Sequence, residues 1–122
     1  MKILICEDNV IVAMNLEMMI EDLGHVSGGL VTSSVDCLRV CETEAPDLVL
    51  VDLDLVDGPT GLGLVDRLNE IGIPSIIVSG QAETLGDDHG AFRALVKPVD
   101  EARLGRAIAD LAEHRESIGS AT

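Results

Sequence analysis

Aromatic residues are almost absent from this chain: Phe92 stands alone, with no Trp and no Tyr. A mechanism that stacks bases or sugars on an aromatic platform is therefore nearly excluded. Basic residues are also scarce, 8 Lys and Arg against 22 Asp and Glu, for a formal charge of −14. Phosphate backbones are held by clustered Lys and Arg, so nucleic acid is excluded as a direct partner. Such a field attracts a cation or a basic protein surface instead. No apolar run approaches the roughly 20 residues of a membrane span. Met1-Lys2-Ile3-Leu4-Ile5 gives way at once to acid, and nothing resembles a signal-peptide cleavage site. The three cysteines, Cys6, Cys37 and Cys41, are too few and too odd in number for a disulfide framework, which points to a reducing compartment. Cys37 and Cys41 have the i, i+4 spacing of a helical metal pair, but two small apolar residues on an inner helix face are the commoner case. At 122 residues the chain has the length of one domain with a real core. We expect a soluble, cytoplasmic protein.

What the chain does have is aliphatic. Leu48-Val49-Leu50-Val51 runs without polar alternation straight into Asp52. That is the pattern of a strand buried on both faces, as in the middle of a parallel sheet. Lys2 to Cys6 reads as a similar strand ending in Glu7-Asp8, and Asn9 caps a helix from about Val10 to Leu23, closed by Gly24. Its stripe is Val12, Leu16, Met19, Ile20 and Leu23. His25 to Val31 reads as a strand weakened by Gly28-Gly29, and Thr32-Ser33-Ser34 opens a helix to Glu44 with Val35, Leu38 and Cys41 inward. After the Asp52 strand, a loop from Leu53 to Thr60 leads to a helix over Gly61 to Ile71, with Leu64, Val65 and Leu68 toward the sheet. Ile73 to Val78 is a fourth strand and Phe92 to Val96 a fifth. Between them Gly86 and Gly90 leave room only for a short or frayed helix. Asp100 caps a last helix to Arg115, with Leu104, Ile108 and Leu111 inward. Residues 1–115 form the expected domain and 116–122 a loose tail.

Five strands alternating with helices imply a doubly wound α/β fold with an all-parallel sheet, and the order 2-1-3-4-5 fits this length. In that order the first and third strands are neighbours, so Glu7, Asp8 and Asp52 meet in one crevice at the carboxyl edge. Three carboxylates so close call for a cation, and Mg²⁺ suits a site with few carboxylates and several waters. The fourth strand brings Ser79 and the fifth Lys97 to the same edge, a hydroxyl and an ammonium able to cradle phosphoryl oxygens. Taken singly, each of these residues would be a helix cap, a turn residue or a surface charge. Pro98 after Lys97 allows a cis peptide there.

Glu7-Asp8, Asp52, Ser79 and Lys97-Pro98 resemble, in order and spacing, the receiver domains of two-component response regulators, whose flavodoxin-like fold has this strand order. The resemblance covers nearly the whole chain. It implies that Asp52 accepts a phosphoryl group from a histidine kinase, directly or through a histidine phosphotransfer protein. It also implies that Glu7, Asp8, Asp52 and the backbone carbonyl of Asp54 surround Mg²⁺, Glu7 mostly through a water, and that Lys97 and Ser79 bind the phosphoryl oxygens. Such a protein is a signalling phosphoprotein and not an enzyme. With no further domain after the last helix, we expect a stand-alone receiver without DNA-binding output, a monomer or weak dimer. It would act as a phosphate sink or as an adaptor for a further signalling protein. A haloacid-dehalogenase-like phosphatase is the rival reading, since Asp54 lies two residues after Asp52, although a cap domain is missing.

Three departures from the receiver pattern stand out. Ala94 occupies the position, three before the lysine, where receivers usually carry Tyr or Phe as a rotamer switch. Strand alternation would put Phe92 on the same face as Ala94, but its expected place is the core. The glycine that opens the third helix, Gly61, comes one residue later than usual, and the fourth helix is poorly specified. With Ile73-Pro74-Ser75-Ile76-Ile77-Val78-Ser79-Gly80, these features resemble a subgroup of alphaproteobacterial receivers that work with kinases of the HWE type, some in general stress signalling.

Overall fold

Short aliphatic strands and amphipathic helices alternate along the computed structural model, which describes the backbone of residues 1–120 and the side chains of residues 1–116. In order these are β1 (Lys2–Cys6), α1 (Val10–Asp22), β2 (Val26–Val31), α2 (Ser34–Thr43), β3 (Leu48–Val51), α3 (Gly61–Glu70), β4 (Ser75–Ser79), β5 (Arg93–Val96) and α4 (Glu101–Ser120). The strands form one parallel sheet in the order β2-β1-β3-β4-β5, the doubly wound arrangement expected. Among the described residues no helix is long and apolar enough to cross a membrane.

Successive residues of β1, β3 and β4 point to opposite faces, and both faces are dry. Ile3, Ile5, Leu48, Leu50, Ile76 and Val78 pack against Leu16 and Ile20 of α1 and Leu104, Ile108 and Leu111 of α4. Leu4, Cys6, Val49, Val51 and Ile77 meet Cys37 and Cys41 of α2 and Leu64, Val65 and Leu68 of α3. The cysteines are therefore core, free and buried; contact with the Cys6 thiol and then burial push the Cys37 thiol far up, and burial pushes the Cys41 thiol up to about 12. Buried protonated thiols are inert.

Local signals place the helix starts. The Asn9 side chain accepts from the Ile11 and Val12 amides at 3.0 and 3.2 Å, Ser33 from Asp36, and Asp100 from Arg103 at 2.7 Å. Gly24 closes α1 with φ +90°. In β2 the pairing with β1 shifts between Ile3 and Ile5, opposite Gly28-Gly29, where a side chain on Gly28 would press on the Ile3 carbonyl at 3.3 Å.

Two expectations need correction and a third is met. Val35 is exposed rather than inward, because α2 turns its Cys37–Cys41 row to the sheet and Val35 lies two residues, or about 200°, round the helix from that row. The connection between β4 and β5 holds the short helix expected of it, the 3₁₀ turn Ala82–Thr84, since Gly86 and Gly90 interrupt any longer one. And α4 does not stop at Arg115: with no breaker at Glu116, Ser117 or Ile118 it continues to Ser120, leaving of the expected tail only residues 121–122, which lie outside the described residues.

Two positions in this frame bear on the site and on stability. A Cβ on Gly61 would lie 2.4 Å from the Asp52 carbonyl oxygen and 2.6 Å from the Leu53 Cα, both backbone, so α3 starts hard against the strand end that carries Asp52. Gly61→Ala should therefore cost about 1–3 kcal/mol, the usual range for overpacking, read as a lower midpoint in denaturant unfolding. The Ser75 hydroxyl is buried at the start of β4 without a partner among the described residues. Removing an unsatisfied buried group releases its desolvation cost, so Ser75→Ala should raise the unfolding free energy by about 1 kcal/mol.

Candidate phosphoacceptor site

Parallel strands end on one edge, and the register decides which ends meet. Cys6 pairs with Val51, so the chain leaves apolar packing at the same level in β1 and β3, and the next residues are Glu7 and Asp52. Asp52 donates its amide to the Cys6 carbonyl at 2.9 Å, and Glu7 donates its own to Val31 at 2.9 Å. One oxygen from each of Glu7, Asp8 and Asp52 lies within 4.8 Å of the others. Glu7 is 2% exposed and Asp52 7%, whereas Asp8 opens to solvent.

Lys97 enters from β5. Its ammonium forms an ion pair with the Glu7 carboxylate and lies 3.5 Å from Asp52 Oδ1. Its amide donates to the Ser79 carbonyl at 3.1 Å, which ties the ends of β4 and β5 together. The Lys97–Pro98 peptide is cis. Ser79 is buried at the end of β4, and its Oγ accepts from the Gln81 amide at 3.1 Å. All five residues thus reach the carboxyl edge. Asp54 lies in the loop after β3 with its side chain exposed, outside the carboxylate cluster.

Charge is out of balance here. Burial raises Glu7 from 4.5 to about 7; the Lys97 ammonium and the Asn9 amide, which donates at 3.1 Å, pull it down, while Asp52 and Asp8 push it up. Three carboxylates face one ammonium, so a hard cation with oxygen preference would offset the excess. The donor set therefore fits Mg²⁺. A metal beside a nucleophilic carboxylate and a lysine can neutralise an incoming phosphoryl group.

The β3–α3 loop contributes residues that sequence reasoning passed over. Asp57 Oδ2 accepts from the Ser34 hydroxyl at 2.5 Å, and Oδ1 accepts from the Ser34 amide at 3.2 Å and the Thr60 hydroxyl at 2.9 Å. The Ser34 hydroxyl above all holds this carboxyl low, at about 2. An Asp-Gly pair by itself signals only a turn, and the partner of Asp57, 23 residues upstream, leaves no local pattern.

Ala94 pairs with Ile77 and packs on the α2–α3 face. Phe92 does not share that face, contrary to the alternation argument. It precedes β5, just after Gly90 at φ +90°, and so falls outside the strand's alternation. It packs instead on the α1–α4 face, 5.6 Å from the His114 ring, with the Arg93 guanidinium 5.3 Å from its centroid. It is core-flanking, as expected, and does not stand in for the aromatic at position 94.

Residues 3–109 match the response regulator receiver domain family. The phyllosphere-induced regulator PhyR of Methylorubrum extorquens is 32% identical over 111 residues, covering 88% of this chain and 42% of that protein. The chain thus spans less than half the length of this relative. The receiver domain of Erythrobacter litoralis PhyR aligns at TM-score 0.80 and 29% identity, over 89% of this chain and 87% of that one. The anti-anti-sigma factor PhyR from Bartonella quintana aligns at 0.89 and 27%, over 98% and 50%. With this fold and this family match, the chain belongs to the receiver domains of response regulators in two-component signalling, and it is similar to those of PhyR-type regulators.

Proposed function

We propose that Asp52 is the phosphoacceptor in a Mg²⁺-dependent transfer from a phosphohistidine of a histidine kinase or histidine phosphotransfer protein. An Asp52 carboxylate oxygen forms the new bond to phosphorus while the bond from phosphorus to the histidine nitrogen breaks, its electron pair staying on the imidazole. The observation that carries this reading is the convergence of Glu7, Asp8 and Asp52 within 4.8 Å, with the Lys97 ammonium 3.5 Å from Asp52.

Asp8, Asp52 and the Asp54 carbonyl would hold the metal, with Glu7 acting through a water. Bound Mg²⁺ would neutralise charge on the phosphoryl oxygens. Lys97 supplies the second positive charge, and Ser79 offers its hydroxyl as a donor. Two buried strand ends keep the nucleophile from wandering, so positioning and charge neutralisation do most of the work. Val10, Ile11, Met14 and Met18 of α1 are exposed apolar residues beginning two positions after Asp8, a suitable landing surface for the kinase.

Downstream, the phosphate-sink role is favoured by Ala94 and by the bare 3₁₀ connection after β4, which remove the usual parts of a switching surface. An adaptor role gains support from the Bartonella relative, whose description as an anti-anti-sigma factor implies action by protein binding. A mixture of one kinase, a second regulator and this protein separates them: a sink lowers phosphorylation of the second regulator, and an adaptor does not.

Two measurements test the chemistry. Wild type should be labelled by a small acyl phosphate only with Mg²⁺, and Asp52→Asn should abolish the label; retained labelling in that variant would refute the assignment. The second follows from Glu7. Its folded value, about 7, lies above the ordinary 4.5, so the metal-free folded state binds more protons than the unfolded state between those limits. Glu7 therefore makes stability fall as pH rises through that window. The unfolding free energy of wild type minus that of Glu7→Gln should decline from pH 4.5 to pH 7 and then level off, and added Mg²⁺ should stabilise wild type more at pH 8 than at pH 6.

A further inference from the structure

The β3–α3 loop is far more tightly held than its exposure would suggest. Leu55 and Gly58 exchange backbone hydrogen bonds of 3.0 Å each, closing a small hairpin with Gly58 at φ +105°. Leu53 and Leu55 are buried on either side of Asp54, and the Val56 amide donates to the Thr32 carbonyl at 2.9 Å. Asp57 then joins the hairpin tip to two helix starts, to Ser34 at the beginning of α2 and to Thr60 just before α3. Both Asp57 oxygens are engaged by these donors, and Asp57 lies outside the cluster of Glu7, Asp8 and Asp52.

A backbone carbonyl binds a cation well only if the loop presenting it is already ordered; otherwise the ordering is charged against affinity. We propose that Asp57 is a positioning residue, whose contact with Ser34 fixes the hairpin so that the Asp54 carbonyl stands ready for Mg²⁺. This rests on the reading of Asp52 as a Mg²⁺-dependent phosphoacceptor. The extra residue that delays Gly61 supplies the length for the hairpin, and Ser34 supplies its anchor.

Asp57→Ala removes both the contact and a negative charge on the loop, so it cannot by itself separate positioning from charge attraction. Ser34→Ala keeps the charge and loses the hydroxyl, and Ser34→Thr restores the hydroxyl. The test titrates Mg²⁺ into the full chain by calorimetry and follows hydrogen exchange of the Leu55, Val56 and Gly58 amides in metal-free protein. Ser34→Ala and Asp57→Ala should each weaken Mg²⁺ binding by roughly 3- to 10-fold, at or below the range for outer-shell partners of metal ligands. They should also speed exchange at those amides, with unfolding midpoints near wild type and with Ser34→Thr close to wild type in both readouts. A silent Ser34→Ala beside a weakened Asp57→Ala would reduce Asp57 to a charge and overturn the proposal. Unchanged affinity in both variants would overturn it while leaving the Asp52 site standing. A wild-type chain that binds no Mg²⁺ would remove the reading beneath it as well. Should Asp57→Ala fail to fold, Ser34→Ala decides alone.

Discussion

Two carboxylates almost out of water, Glu7 and Asp52, side by side at the ends of β1 and β3, set the terms for the rest of the molecule. Desolvation alone would drive one of them to neutrality, as the upward displacement of Glu7 records. Lys97 answers part of this from β5, two strands away from Asp52, which is possible only because a parallel sheet brings all its strand ends to one edge. One ammonium against three carboxylates leaves the edge electronegative. That imbalance is of the kind a hard cation offsets.

The features that sequence revealed are those with a period or a fixed local chemistry. Uninterrupted aliphatic runs marked β1 and β3, the 3.6-residue stripes marked Leu64, Val65 and Leu68 or Leu104, Ile108 and Leu111, and Asn9 and Asp100 marked helix starts. Glu7, Asp8, Asp52, Ser79 and Lys97 were legible because each sits directly after, or at the last residue of, such a run. What escaped has no period. The bonds from Ser34 to Asp57 span 23 residues between two polar loops, and the contact of Gly61 with the Asp52 backbone depends on the angle at which α3 begins. Alternation does not set the face of Phe92, because this residue lies in the bend just before β5 and not in the strand.

The two loops that flank Asp52 and Ser79 are built on opposite plans. After β3, polar side chains and a buried pair of leucines fix the chain within a few residues of Asp52. After β4, a 3₁₀ turn and two glycines replace a helix, and β5 is only half-buried along its length. Local stability follows apolar contact and protected hydrogen bonds, so the first region belongs to the rigid part of the domain and the second to the part most easily rearranged.

That contrast bears on how a change at Asp52 can reach the surface. At position 94 there is a methyl group beside Ile77, and the lone aromatic, Phe92, packs on the other face of the sheet beside His114 of α4. A direct link does exist in the backbone: the Lys97 amide donates to the Ser79 carbonyl, and the same lysine pairs with Glu7 and faces Asp52. Movement of Lys97 toward a phosphoryl group would pull on the ends of β4 and β5 together, next to the loosely covered connection between them. Lys97 is thus the residue that joins the carboxylates of Glu7 and Asp52 to the end of β4, through its ammonium on one side and its amide on the other.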